Sequence, residues 1–278
     1  MTKRCIMRRG QRAIVVVAAT LILAGLAAAA QAPTSSTANP FHWKGTLAAG
    51  QTVGLRGIQG DMNIEGVAGN EVEVTANKSG EGADEVRIEV VPHTGGVTIC
   101  AVYPGDSGSR NGCEAGGSWH SHNEHNRARV DFTVRMPSNT KLDAQNVNGS
   151  IEAKDLGSEA HATSVNGRVQ VETSSWAEAK SVNGAVNVHM GKADWPDELR
   201  IESVNGRIRL ELPADLNADV TFQTLNGNVE SDFPFTVGAG NHITGRPGTH
   251  ITGKVGNGGR QLELKTVNGS IELRKLGI

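Results

Sequence analysis

Residues 199–210 read Leu-Arg-Ile-Glu-Ser-Val-Asn-Gly-Arg-Ile-Arg-Leu, and residues 262–273 read Leu-Glu-Leu-Lys-Thr-Val-Asn-Gly-Ser-Ile-Glu-Leu. Counted from the asparagine, both place apolar residues at −6, −4, −1, +3 and +5. The central phrase, Val/Leu-Asn-Gly, recurs with its asparagine at Asn148, Asn166, Asn183, Asn205, Asn226 and Asn268, in steps of 18, 17, 22, 21 and 42 residues. Around Asn148 the apolar set is Leu142, Ala144, Val147, Ile151 and Ala153. The Asn166 and Asn183 copies keep Ala162 and Ala179 at −4, and Val169 and Val186 at +3. The Asn226 copy keeps Val220, Phe222, Leu225 and Val229 but has Ser231 at +5. Alternation on both sides of Asn-Gly describes two short strands, each with one buried face. Self-similarity at a period of about 20 residues describes stacked repeats.

Asn-Gly is also a strong signal for a two-residue hairpin, because both residues tolerate positive φ. In a hairpin, positions −1 and +2 would face each other and point to one side. Here −1 is Val or Leu, while +2 is Ser150, Arg168, Ala185, Arg207, Asn228 or Ser270. A corner between two inward-facing strands, with −1 turned inward, fits better. The expected fold is all-β: a β-solenoid or β-roll-like stack of short strands with Asn-Gly corners, preceded by a signal helix. A hairpin-built sandwich is the competing reading. With coils stacked at about 4.8 Å, the corner asparagines would bond up and down the stack as a ladder. All six are read as structural corners.

The repeat reaches further back. With Gln59 in the asparagine place, Val53, Leu55, Ile58, Met62 and Ile64 fill all five apolar positions. Val67-Ala68-Gly69 followed by Val72-Glu73-Val74 reads as a looser copy. The 42-residue step predicts a decayed copy, with Val255-Gly256-Asn257-Gly258 as its remnant. Asp194-Trp195-Pro196-Asp197 reads as a bulging turn.

The chain opens with Lys3, Arg4, Arg8, Arg9 and Arg12, then an uncharged apolar run from Ala13 to Ala30. Basic start, apolar core and small residues at 28–30 describe a secretory signal over residues 1–30. An uncleaved anchor is the alternative, since the run approaches spanning length; membrane contact is expected only through that segment. Residues 31–40 read as a flexible linker, and residues 41–278 as a single β-repeat domain. Beyond the leader, 22 Lys and Arg stand against 29 Asp and Glu. That mildly acidic balance opposes nucleic-acid binding, which needs a basic footprint.

Residues 104–127 interrupt the pattern with Gly, Ser, Asn and His, and read as an irregular surface loop. Cys100 and Cys113 are the two cysteines beyond the leader, and an even count in an exported domain predicts a disulfide. His120, His122 and His125, with Glu124 and Cys113 nearby, are weak candidates for a metal site. Imidazole suits zinc or copper, but the spacing matches no defined motif. A solvated loop is the expected state, with no metal and no cofactor. A carbohydrate-active β-helix enzyme would need paired carboxylates across one face. Glu152, Glu172, Glu211, Glu230 and Glu272 instead fall at outward positions without a shared basic partner. There is no Gly-x-Ser-x-Gly, phosphate loop or His-Glu-x-x-His, so no catalytic residue is assigned.

The serial Ser-Val-Asn-Gly phrases, the segment Gly57-Ile58-Gln59-Gly60-Asp61-Met62-Asn63-Ile64-Glu65-Gly66, and Arg129-Val130-Asp131-Phe132-Thr133-Val134-Arg135-Met136-Pro137 together resemble a bacterial exported family. It is the domain of unknown function 4097, also called the putative adhesin family. The similarity spans roughly residues 41 to 278. It implies an all-β repeat domain of the cell envelope and no catalytic residues; the 104–127 loop departs from the pattern. The expected role is a non-enzymatic, structural or adhesin-like binding scaffold in the periplasm or at the cell surface. Its partner would be an envelope protein or a glycan. An envelope accessory that grips a protein through residues 104–127, and the carbohydrate-active enzyme, are the alternatives. N-terminal sequencing of the exported protein is expected to start at Gln31 or Pro33. An intact leader in the membrane fraction would select the anchor.

Overall fold

The computed structural model describes residues 33–105, 111–116, 119–120, 126–237 and 248–277. The expected signal helix lies outside these residues. Among the described residues every regular element is a strand. Each corner phrase joins two of them, the first in one sheet and the second in another. The pairs are Thr52–Gln59 with Met62–Val67, Lys141–Asn148 with Ile151–Leu156, and Ala160–Asn166 with Val169–Thr173. Next come Ala177–Ser181 with Val186–Met190, and Glu198–Ser203 with Ile208–Leu212. Ala218–Asn226 with Val229–Ser231, and Arg260–Asn268 with Ile271–Lys275, complete the set. Each pair is called here the coil of its corner residue.

The coils stack parallel and in register: Val169 lies opposite Val186, Val186 opposite Ile208, and Ile208 opposite Ile271. Gln59 lies opposite Asn148, so the early repeat is a true coil. Leu199 and Ile201 of one sheet and Ile208 and Leu210 of the other are at most 1% exposed. The core is therefore the layer between the sheets, built by the ±2 alternation of each strand.

Among these seven coils, spatial order departs from chain order at one place. It runs Gln59, Asn148, Asn166, Asn183, Asn205, Asn268, Asn226. After the Asn226 coil the chain forms the capping strands Phe235–Val237 and Thr249–Val255, both antiparallel. It then enters the row between the Asn205 and Asn226 coils. The 42-residue step thus holds a cap and a crossover rather than a worn repeat. Val255–Gly258 is the crossover turn, closed by Gly258 N–H to Val255 O at 3.1 Å. It is held to the neighbouring segment by Asn257 N–H to Asn217 Oδ1 at 2.8 Å.

Antiparallel strands also close the other end. Thr34–Ser36 pairs with Arg87–His93 at the edge of the first sheet, and Phe41–Thr46 pairs with Glu71–Ser79 at the edge of the second. Part of the expected 31–40 linker is therefore an edge strand, fixed by its pairing with residues 88–90. Residues 67–74 are not a coil: a bend at 68–70 leads from Met62–Val67 into the antiparallel strand Glu71–Ser79. Trp195, expected on a bulging turn, is fully buried and donates from Nε1 to Gln261 O at 2.9 Å.

The corner glycines are set by contact between coils. A Cβ on Gly167 would lie 2.0 Å from Gly149 O, on Gly184 2.0 Å from Gly167 O, and on Gly206 2.1 Å from Gly184 O. None of these three has a left-handed φ, so steric approach, not backbone freedom, demands glycine there. Gly184→Ala must push two coils apart. It is expected to cost about 3 kcal/mol, on the scale of core overpacking, measured by chemical denaturation. A change within experimental error would refute the close-approach account.

Candidate functional site

The corner carries three parallel columns of side chains. Asparagine forms the first. Asn166 Nδ2 donates to Asn148 Oδ1, Asn183 to Asn166, Asn205 to Asn183, Asn268 to Asn205 and Asn226 to Asn268, all at 2.7–2.8 Å. The bonds run in one direction along the stack and stay at the surface, so each amide keeps a further N–H and lone pair for solvent or ligand.

Position −2 forms the second column, which the sequence reading missed. Ser164 Oγ donates to Gly149 O, Ser181 to Gly167 O, Ser203 to Gly184 O, Thr266 to Gly206 O and Thr224 to Gly269 O, at 2.9–3.0 Å. Asn146 Nδ2 does the same for Gly60 O at 2.7 Å. These side chains are at most 4% exposed, and buried polar groups need partners. A small polar residue at −2 in all six Asn-Gly copies was the available signal; the Gln59 coil has Gly57 there.

The third column corrects an expectation. At the first coils −1 stays with the core, Ile58 within it and Val147 packed against it; further along, strand alternation continues to the corner, so −6, −4 and −2 point inward and −1 points out. Val165, Val182 and Val204 are 38–39% exposed and Leu225 is 50% exposed. They form an apolar ridge beside the asparagine ladder.

Outward charges on both sheets tie neighbouring coils together. Lys180 Nζ reaches Glu202 on the next coil at 3.5 Å and Glu178 on its own strand at 2.7 Å. Burial pulls the Lys180 ammonium down, but these carboxylates hold its pKa above the ordinary lysine value. Glu211 takes His189 Nδ1 of the neighbouring coil at 3.0 Å and Arg209 of its own strand at 2.7 Å. Burial pushes its carboxyl up, and these two partners outweigh it, leaving the pKa below the usual glutamate value.

A cleft of about 520 Å³ opens on the outer face of the first sheet. Its floor is two rows of outward residues on successive coils. One row is Gly54, Asp143, His161, Glu178; the other is Arg56, Gln145, Thr163, Lys180. Arg56 is 1% exposed although its position faces outward. Its guanidinium donates to Leu55 O at 2.9 Å, Asp143 O at 2.7 Å and Asp143 Oδ2 at 2.5 Å. His161 meets the Trp176 ring edge-on, with centroids 5.5 Å apart. Gly116 and His93 stand at the rim.

The disulfide joins Cys100 to Cys113, with Cα atoms 5.8 Å apart. It pins the short strand Gly112–Cys113 over the adjacent strand Gly96–Val102, which is buried along its whole length. Cys113 N–H also donates to Glu89 Oε2 at 3.2 Å. His120 lies on the short strand Trp119–His120. Its side chain, and His122 and His125 entirely, lie outside the described residues. Among the described residues no three His, Cys, Asp or Glu side chains converge as a metal site.

The Toastrack DUF4097 family model matches residues 43–274. No curated protein matches. A crystal structure described as that of a putative cell adhesion protein from Clostridium sporogenes aligns with 85% of this chain and 100% of its own, at 12% identity and a TM-score of 0.41.

Ser203→Ala strips a buried carbonyl of its donor and is expected to cost about 1 kcal/mol. Asn205→Ala breaks two exposed ladder bonds and should also lower the melting temperature. An unchanged melting temperature for Asn205→Ala would remove the ladder's structural role. Glu211 titrates lower in the folded than in the unfolded state, so the unfolded chain binds more protons as the solution is acidified. Its stabilisation is present above about pH 4.5 and lost as pH falls through the folded pKa. Glu211→Gln should therefore flatten the acid arm of a stability–pH profile, and an unaltered arm would count against the pairing.

Proposed function

The chain belongs to the Toastrack DUF4097 family, and from that premise we propose that it is an exported, non-catalytic binding scaffold of the bacterial cell envelope. The observation that carries this reading is the cleft on the first sheet. In-register strands hold its floor, and a buried arginine fixes one of its carboxylates. Rigid elements place recognition groups more accurately than loops do. The stack supplies that rigidity through its corner columns and cross-coil ion pairs. The basic and apolar leader supports export. So does the Cys100–Cys113 bond, of a kind that persists in oxidising compartments.

The carboxylates in the cleft are engaged by cations of the same surface, Asp143 by Arg56 and Glu178 by Lys180. That arrangement suits holding a ligand rather than donating or abstracting a proton. Immobilised exported protein is expected to retain a component of a detergent-solubilised envelope extract. Glycans eluted from it should keep the mass they had when applied. No retention, or shortened glycans, would overturn the reading.

A further inference from the structure

We propose that the cleft on the first sheet binds a neutral oligosaccharide, an inference that rests on the binding-scaffold reading above. The charges of the cleft floor are matched in number. Arg56 and Lys180 are the cations, Asp143 and Glu178 the anions, and each cation lies against an anion; Glu178 also faces His161 Nδ1 at 3.3 Å, and Lys180 also faces Glu202 at 3.5 Å. A phosphate, sulfate or uronate would have to break one of these pairs to find a cation. A cationic ligand would have to break one to find a carboxylate. A ligand rich in hydroxyl groups has no such requirement, because every hydroxyl both donates and accepts.

The remaining chemistry of the floor fits hydroxyl recognition. Asp143 and Glu178 accept, the Gln145 amide donates and accepts, and Thr163 contributes a hydroxyl. These groups sit on three adjacent coils, in rows fixed by strand register. Gly54 occupies the place that Asp143, His161 and Glu178 hold on the next coils, and Thr98 on the adjacent strand closes over it, with its side chain 3.3 Å from where a Cβ would stand.

Asp143 is held ready. Arg56 grips its backbone carbonyl and one carboxylate oxygen, and Gln145 Nε2 donates to the other at 3.3 Å. Burying an arginine is costly unless its charge is paired and hydrogen-bonded. Here the pairing fixes the orientation of a partly exposed carboxylate at the cleft floor. Arg56 is thus a positioning residue. The edge-on packing of Trp176 likewise steadies the His161 ring. The cleft volume of about 520 Å³ falls within the range of small-ligand sites, about 300–1,000 Å³.

The test is calorimetric titration of the exported protein with cellopentaose, maltopentaose and chitopentaose as neutral probes. Tri-galacturonate and a sulfated disaccharide serve as anionic controls. At least one neutral probe is expected to bind more tightly than either control. Trp176 sits against a cleft residue, so binding should also change tryptophan emission. Gln145→Ala and Thr163→Leu alter exposed strand positions; each should weaken binding at least tenfold while leaving the melting temperature unchanged. Tighter binding of an anionic control overturns the ligand class. Neutral binding that neither substitution weakens overturns the site and leaves the scaffold reading intact. Absence of binding by all neutral probes overturns the inference. Whether the scaffold reading falls with it is then decided by the envelope-retention experiment, which assumes nothing about ligand class.

Discussion

Between Gly184 and the carbonyl oxygen of Gly167 there is no room for a methyl group: a Cβ would stand 2.0 Å from that oxygen. The same approach recurs at each Asn-Gly corner and sets how closely successive coils meet. The other corner contacts follow from it. With the corners in contact, the −2 hydroxyl of one coil reaches the glycine carbonyl of the preceding coil, and each asparagine amide reaches the next. With the corners aligned, the flanking strands fall into parallel register, and like residues stack on like in the core. The outward rows that form the cleft floor inherit that register.

Much of this architecture was legible because a stacked fold writes one constraint many times. Six spaced copies of Val/Leu-Asn-Gly gave the coil, the two flanking strands and the inward positions, and Gln59 could be placed although it is not an asparagine. The misreading at −1 is instructive. An apolar −1 reads as inward, yet strand alternation gives the inward side to −2, and where Ser164, Ser181 and Ser203 hold it, Val165, Val182 and Val204 are left exposed. A buried serine is cheap only when an acceptor waits for it, and that acceptor belongs to a different coil. Residue type alone could not reveal it.

The cleft and the caps were hidden for another reason. Arg56 looks like any outward arginine on a strand; it is buried against Asp143, whose backbone carbonyl and carboxylate it grips from 87 residues away in the chain. Trp195 looked like a turn residue because Asp and Pro flank it, but tertiary packing draws it fully inside. Thr34–Ser36 has the composition of a linker and becomes a strand because the edge at residues 88–90 offers it partners. In each case the deciding contact is distant in the chain and occurs once, so no periodicity announces it. The disulfide was the exception, since cysteine number alone suggested it.

The Asn268 coil behaves as a keystone. The rows on its two flanks, Glu198–Ser203 with Ile208–Leu212 and Ala218–Asn226 with Val229–Ser231, both precede it in the chain. Translation therefore delivers both walls of the gap before the piece that fills it. Until residues 260–275 are seated, each wall presents a bare strand edge to the other, and unpaired edges invite pairing with foreign chains. A chain cut short before residue 260 would be missing its middle rather than its end. The cap formed by Phe235–Val237 and Thr249–Val255 would then belong to a coil with no neighbour on its inner side. Quality control of such a protein falls on its closing segment, whose arrival turns two half-finished stacks into one.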